Sequence, residues 1–290
     1  MRITAIVTLF HPTQKQVDNI SSYARSVDRV LLCDNSPNSN EKLFNGLENA
    51  TYIWFGENLG LSLGFNRVLK NNTFQWKDDD YIIFFDQDSS VEKGHILGLL
   101  GIYQKLSKLN HNRVGCLGPA YYNESNKKIE MVNGKEQVIK GVYEVPTIIT
   151  SSMLLQYATI KDIGFFNEKA FLDMADWDLC WRLTAKHYHC YTTNTVVLKH
   201  SVGCGEKRFG PLRIRIWRPF RSYYQVRDSL YLLEENYVPK LYRLRLLANL
   251  TIFPIINIVA LGDIFERWFY IRKGFGDYKK KIVGALPTCQ

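Results

Sequence analysis

The sequence predicts an α/β fold, a mixed central sheet flanked by helices, and three observations carry that reading. Four short runs rich in β-branched and aromatic residues open the chain, at 3–10 (ITAIVTLF), 29–33 (RVLLC), 51–55 (TYIWF) and 81–85 (YIIFF). Stretches able to form helices, 12–26 and 61–72, lie between them. Hydrophobic residues make up 46% of the 290 and charged residues 22%, so a large core can be buried and a disordered chain is excluded. Continuous apolar strands alternating with helices indicate a parallel sheet covered on both faces. Ligands of such sheets gather at the carboxyl ends of the strands. Those ends carry Thr8 and Phe10, then Asp34-Asn35-Ser36, then Gly56-Glu57-Asn58, then Asp86-Gln87-Asp88.

The remaining elements follow in order. Residues 92–108 have apolar positions at 96, 99, 100, 103 and 106, a helical spacing. From 114 to 155 the pattern changes to short strands and turns, which predicts a mixed second half of the sheet. Residues 176–187 read as a helix, and 195–198 (TVVL) as a strand ending at Lys199-His200. From 206 onward, arginines interleave with Trp217, Phe220, Tyr223 and Tyr224. The apolar run 246–262 has 17 residues, with two Asn, a Thr and Pro254, and is marginal for spanning a bilayer. It predicts an interfacial helix pair, with a buried packing helix as the alternative. The expected division is a domain built on the sheet, 1–205, and a basic helical extension, 206–290.

Charge supports that division. Residues 1–205 hold 21 basic and 21 acidic side chains, so the whole net charge of +9 lies in 206–290. Such a tail suits an anionic surface. A mean hydropathy of −0.19 excludes a polytopic membrane protein. The six cysteines, at 33, 116, 180, 190, 204 and 289, form no CxxC pair, and the first residues lack a leader's long apolar core. A reducing cytoplasmic setting with packing cysteines is expected.

Three segments carry chemistry. In FFDQDS (84–89), two carboxylates one residue apart end a buried strand. Such a pair is costly without a cation, and Mg²⁺ or Mn²⁺ on a diphosphate resolves the repulsion. A plain Asp-rich turn is the alternative. In FLDMADWDLCWRL (171–183), Asp173, Asp176 and Asp178 surround a helix start. Helix capping needs fewer acids, and a carboxylate among aromatics tends to a raised pKa suited to a general base. Asp178 and Arg182 are spaced to pair on one helix face. In LKHSVG (198–203), His200 follows a strand and can serve as a metal ligand, whereas the other histidines show no zinc spacing.

Taken together, VTLFHP, LLCDNS, ENLGLSLGFN, FFDQDS, FLDMADWDLCWRL, LKHSVG and RPFRSYYQVRDSLYLL stand in an order that resembles the family 2 glycosyltransferases, over about residues 3–240. The Gln between the two acids and the late YYQVRDSLYLL point within them to bacterial rhamnosyltransferases that use dTDP-L-rhamnose. The resemblance implies the GT-A fold and an inverting, metal-dependent transfer. It implies that Thr8 and Phe10 line the base pocket, with His11 and Asn35 also at the donor, and that Asp34 accepts the pyrimidine N3–H. Asn58, Gly60 and Asn66 would shape the loop near nucleotide and sugar. Asp86 would lie near ribose or metal, Asp88 would ligate the metal with Gln87 beside it, and His200 would complete the set. Asp176 matches the catalytic base. The family's Glu at this motif is missing from Ala175-Asp176-Trp177-Asp178, so Asp173 remains open as an acceptor contact, with Trp177 and Arg182 nearby.

The implied acceptor is a saccharide on a polyprenyl diphosphate at the inner membrane face, in cell-wall or O-antigen assembly. A peripheral location follows from that, and a homodimer is left open. Rivals are another donor (UDP-galactofuranose, UDP-glucose or UDP-N-acetylglucosamine) and a catalytically silent nucleotide-binding scaffold. A nucleic-acid partner is not expected, because the acid-lined first half repels phosphate.

Overall fold

The computed structural model describes residues 1–111, 113–123, 127–131, 133–137, 139–200, 206–209 and 212–286. In chain order, β1 (Ile3–Leu9), α1 (Gln14–Ala24), β2 (Arg29–Asp34), β3 (Ala50–Trp54), α2 (Gly60–Leu69) and β4 (Tyr81–Asp86) form the first unit. Then come α3 (His95–Leu109), β5 (Val114–Asn123), β6 (Lys128–Glu130), β7 (Lys135–Glu136), β8 (Val142–Glu144), β9 (Met153–Gln156) and α4 (Tyr157–Asp162). They are followed by α5 (Ala175–Ala185), β10 (His189–His200) and a hairpin of β11 (Glu206–Phe209) and β12 (Leu212–Arg215). The chain closes with α6 (Arg221–Leu233), α7 (Lys240–Leu250), α8 (Ile252–Leu261) and α9 (Ile264–Lys279).

The sheet runs β3-β2-β1-β4-β9-β5-β10-β8-β7, with β6 beside β5. Its first four strands are parallel, β9 is antiparallel to both neighbours, and β5 and β10 are again parallel to each other. The expected mixed α/β sheet is therefore what forms. Alternate residues of each apolar run enter opposite cores, which is why the runs lack polar alternation. On one face, Ala5, Val7, Leu32 and Phe85 pack with Ile20 and Tyr23 of α1 and Leu99 of α3. On the other, Ile6, Leu31 and Phe84 pack with Phe65 of α2 and Leu179 of α5.

Two elements differ from the sequence reading. The strand expected at 195–198 is the end of the twelve-residue β10, whose first half (HCYTTN) is polar enough to resemble a turn. A register shift between Thr193 and Val197 joins the halves, while Thr192 and Thr193 are buried. The apolar run 246–262 is divided at Thr251 between α7 and α8, which meet at a 48° bend. No single helix among the described residues is long and apolar enough to cross a membrane.

Candidate active site

Register fixes the first part of the site. Thr8 is paired with Asp86 on one side and Cys33 on the other, so the carboxyl ends of β1, β2 and β4 lie side by side. Beyond them, Gln87 ties the acidic turn to β1, its Oε1 accepting from Phe10 N (2.8 Å) and its Nε2 donating to Phe10 O (3.1 Å). Asn19 Nδ2 adds a bond to the Gln87 carbonyl at 3.2 Å. His11 adopts φ 48°, donates its N–H to Ser36 Oγ at 2.7 Å and stands edge-on to the Phe10 ring. Phe10 is left 45% exposed, and Trp54, at the end of β3, is 47% exposed with its indole N–H on the Ser36 carbonyl. Two open aromatic faces thus flank this edge of the sheet. The sequence reading named Phe10 and passed over Trp54, although an aromatic closing a strand was the available signal.

The two acids of the turn are in different settings. Asp86 is half-buried and accepts a hydrogen bond from the Ser151 hydroxyl, while Asp88 is exposed. Ser152, next to Ser151, is held by its N–H to the Phe84 carbonyl (2.6 Å) and by its hydroxyl to His95 Nε2 (2.7 Å). Burial pushes the His95 imidazole down to about 4, so it is neutral at physiological pH. A backbone bridge between Ser90 and Lys199 brings the end of β10 to the same turn. His200 follows Lys199 at the end of β10; its side chain lies outside the described residues, as do residues 201–203 of its motif. Two carboxylates on one turn fit a hard divalent cation, which prefers oxygen ligands.

Asp34 is fully buried. Its carboxylate accepts from Ser36 N (2.8 Å), Asn40 Nδ2 (2.9 Å) and Tyr52 Oη (2.5 Å). It therefore fastens the 36–40 turn. Asn35 is also buried, and its Oδ1 accepts from Leu59 N (2.9 Å) at the start of α2. From there a hydrogen-bonded path leads across the site. Asn58 Oδ1 accepts from Gly60 N, Leu61 N donates to Phe171 O (2.9 Å), and Ser62 Oγ donates to Ala170 O (2.6 Å). Asn66 Nδ2 donates to Phe166 O and Glu168 Oε1, and its Oδ1 accepts from Phe166 N. Asn66 is spent entirely on this segment and is buried, so the ENLGLSLGFN motif holds 166–171 in place. Gly60, at φ +70°, sits where a Cβ would lie 2.6 Å from the Phe171 ring.

That segment delivers the acid cluster. Asp176 lies in the first turn of α5, half-buried, with Oδ1 accepting from Trp177 N at 2.8 Å. Burial, with Cys180 and Asp173 close by, pushes its carboxyl up to about 7 in spite of that hydrogen bond. Asp173 is raised in the same way, opposed by Arg221 at 3.7 Å, and its Oδ2 is buried without a hydrogen bond among the described residues. Asp178 is different. It is 1% exposed, bonded to Tyr237 Oη (2.5 Å) and Asn167 Nδ2 (3.2 Å), with Arg182 at 3.5 Å. The expected Asp178–Arg182 pair is present. Arg182 also donates to the carbonyls of Ile163 and Phe165, so it braces the helix against the preceding turn. Trp177 packs against Tyr242 with Arg245 over its ring at 4.4 Å, at the junction of α5 and α7.

Behind the cluster lies a polar network that sequence reasoning did not assign. Asp228 Oδ2 accepts from Phe171 N (3.0 Å), and its Oδ1 accepts from Arg227 Nε (3.0 Å). Both side chains are fully buried. Arg227 reaches on to Tyr223 Oη and the Gly284 carbonyl, and Tyr224 stacks on Phe171 at 4.7 Å. Burial pushes Asp228 up to about 7 against the pull of Arg227. The available signal was an Arg-Asp pair inside an aromatic helix. A further group was hidden by sequence distance: Cys116, Cys180 and Cys190 converge, with all sulfurs within 4.8 Å of one another. All three are buried.

No family model matches the chain. It is 25% identical over 257 residues to dTDP-rhamnosyl transferase RfbF of Shigella flexneri, covering 84% of this chain and 83% of that protein. Its fold is similar to S. aureus TarS 1-349 in complex with UDP-GlcNAc (TM-score 0.59, 15% identity, 96% of this chain and 80% of that one). It is also similar to GalNAc-T7 with UDP, GalNAc and Mn²⁺ (TM-score 0.60, 12% identity, 97% of this chain and 56% of that one). The fold is GT-A. These similarities support a glycosyltransferase related to the rhamnosyltransferases, and a nucleotide-sugar donor fits them.

Proposed function

We propose that the chain moves L-rhamnose from dTDP-L-rhamnose to a saccharide acceptor with inversion at the anomeric carbon. The observation that carries the proposal is the acidic turn locked to the end of β1 beside two open aromatics, on a sheet whose other half brings a half-buried Asp176. Similarity to a dTDP-rhamnosyl transferase supports the donor.

In this reading Phe10 and Trp54 stack on the base. Asp34 takes its N3–H once Asn40 yields its place on Oδ2. A divalent cation, Mg²⁺ or Mn²⁺, held by Asp86 and Asp88 with His200 as a further ligand, would neutralise the diphosphate of the departing nucleotide. Asp176 accepts the proton of the acceptor hydroxyl as that oxygen attacks the anomeric carbon and the bond to the diphosphate breaks. A carboxyl held near 7 suits this work, because a substantial fraction is ionised near neutral pH and it is still basic enough to accept a proton. Asp173, with its unpartnered buried oxygen, orients a neighbouring acceptor hydroxyl. Arg221, at 3.7 Å, opposes the rise that burial imposes on the Asp173 carboxyl.

The proposed acceptor is a lipid-linked saccharide in cell-surface polysaccharide assembly, met at the inner face of the membrane by a peripheral enzyme. The test is a panel of nucleotide sugars with Mg²⁺ and with a chelator, assayed for nucleotide release and followed by NMR of the product. Release of dTDP above all other nucleotides, lost on chelation, with an inverted anomeric centre, is expected. Preference for a UDP-sugar would overturn the donor, and retention of configuration would overturn the single displacement.

A further inference from the structure

We infer that α7, α8 and α9 form a lipid-contact foot that lies in one leaflet of an anionic membrane. This deepens the membrane part of the proposed function and is independent of the donor.

Eleven of the eighteen exposed large hydrophobic residues among the described residues fall between Leu241 and Phe269. They are ordered by helix periodicity. On α7, Leu241 and Leu244 stand three apart and are 75% and 65% exposed. On α8, Ile255 and Val259 stand four apart, at 65% and 62%. On α9, Phe265 (91%), Trp268 and Phe269 share one stripe. The opposite faces are the packed ones, for Leu246, Ala260 and Ile271 are buried. Each helix thus has at least one apolar residue packed inward, and its outer face is apolar as well. A soluble surface of this size is costly unless something covers it.

Length and charge select the cover. The ten residues of α8 span about 15 Å, half of a bilayer's hydrocarbon core, and the 48° bend keeps α7 from extending it. The group is therefore shaped to lie along an interface. Exposed Lys240 opens α7, and exposed Arg272 continues the Phe265 stripe by two turns, placed to reach phosphates while the aromatics enter the acyl region. Asp263 and Glu266 also face outward at the start of α9, where Asp263 lies 3.8 Å from Arg267. The segment 206–290 carries the chain's entire net charge of +9. Anionic headgroups complement that charge, whereas a second copy of the chain would set two such surfaces against each other.

The test uses the full chain without donor or acceptor, sedimented with vesicles of phosphatidylethanolamine and phosphatidylglycerol, and with vesicles of phosphatidylcholine alone. Binding to the anionic vesicles, weakened by salt, is expected. The variant F265S/W268S/F269S is expected to bind at least about tenfold less while circular dichroism shows the parent's helix content. W268F is expected to bind normally and to lose the quenching of tryptophan fluorescence by brominated lipid. Failure of the parent to sediment would overturn the foot, as would undiminished binding by the triple variant. Self-association abolished by the triple variant, without vesicle binding, would overturn it in favour of a dimer face. Transfer to a soluble acceptor, measured alongside, separates the two readings. Lost vesicle binding with unchanged transfer isolates the foot, and lost transfer with intact binding refutes only the catalytic proposal.

Discussion

Gln87 grips the backbone of Phe10 with both ends of its amide, and this pair joins the acidic turn of β4 to the exit of β1. A carboxylate at this position would add a third negative charge and lose the donor. An aliphatic side chain would lose both bonds. The residue between the two acids thus sets the spacing between the Phe10 ring and the acidic turn, the proposed base and diphosphate ends of the site.

Replacing Gln87 by Leu should accordingly weaken nucleotide binding without unfolding the chain. Two net hydrogen bonds of about 1 kcal/mol each correspond to a loss of up to about thirtyfold in dTDP affinity. Calorimetry with dTDP and Mg²⁺ measures it. Unchanged affinity would mean that the β1 exit keeps its place without Gln87.

The proposed general base can be tested through its pH dependence. Asp176 must be ionised to accept a proton, and its carboxyl is pushed up to about 7. Turnover should therefore fall about tenfold per pH unit below 7 and level off above about pH 8. Asp176→Asn should retain dTDP binding, lose about 10²–10⁴-fold in turnover and show no such titration. A parent profile flat from pH 5 to 8 would remove the assignment.

Stability should move the opposite way. Asp176 holds its proton more tightly folded than unfolded, where a carboxyl titrates near the model-peptide value of about 3.9. The fold is thus favoured by this group at low pH and loses that favour as pH rises through about 7. Asp176→Asn removes the buried charge. Its melting temperature should exceed the parent's at about pH 8 and match it at about pH 4. Equal melting at both pH values would show that the carboxyl is better solvated than its burial implies.

The sequence made the sheet legible because four apolar runs need no tertiary context to be read as strands, and the turn DQD and the cluster Asp173-Asp176-Asp178 are local in the chain. What it could not display were bonds across great sequence separation. Asn66 looks like a nucleotide-loop residue until its amide is found on Phe166, a hundred residues on. Ser151 and the Arg227–Asp228 pair carry no local pattern that points to Asp86 or to Phe171. β10 was read short because a threonine pair buried by neighbouring strands is indistinguishable in sequence from a turn.

Gly60 tests the link between α2 and the acid cluster. Its φ of +70° and the 2.6 Å from a built Cβ to the Phe171 ring leave no room for alanine. Gly60→Ala should cost about 1–3 kcal/mol in stability and shift the segment leading to Asp173 and Asp176. The expected kinetic signature is a fall in kcat with donor KM nearly unchanged, because the proposed nucleotide edge is built from β1, β2 and β4. A KM effect alone would place Gly60 at the donor instead.

Arg227 and Asp228 make the sharpest stability test, because one partner can be removed without touching the other. Arg227→Met leaves Asp228 fully buried with its Oδ1 uncompensated, while Phe171 N still donates to Oδ2. Breaking such a pair from one side costs about 3–5 kcal/mol, because the remaining charge stays out of water. Asp228 already sits near 7 with the guanidinium beside it, so in the variant it should take up a proton well above neutrality. The loss seen by urea unfolding should then shrink as pH falls from about 8 to about 5, as the orphaned acid becomes neutral. The double variant R227M/D228N should recover part of the stability at about pH 8, since it removes the charge and keeps an acceptor for Phe171 N. A loss that is independent of pH and unrelieved in the double variant would show that Arg227 matters for its packing between Phe171, Tyr223 and Tyr224 and not for its charge.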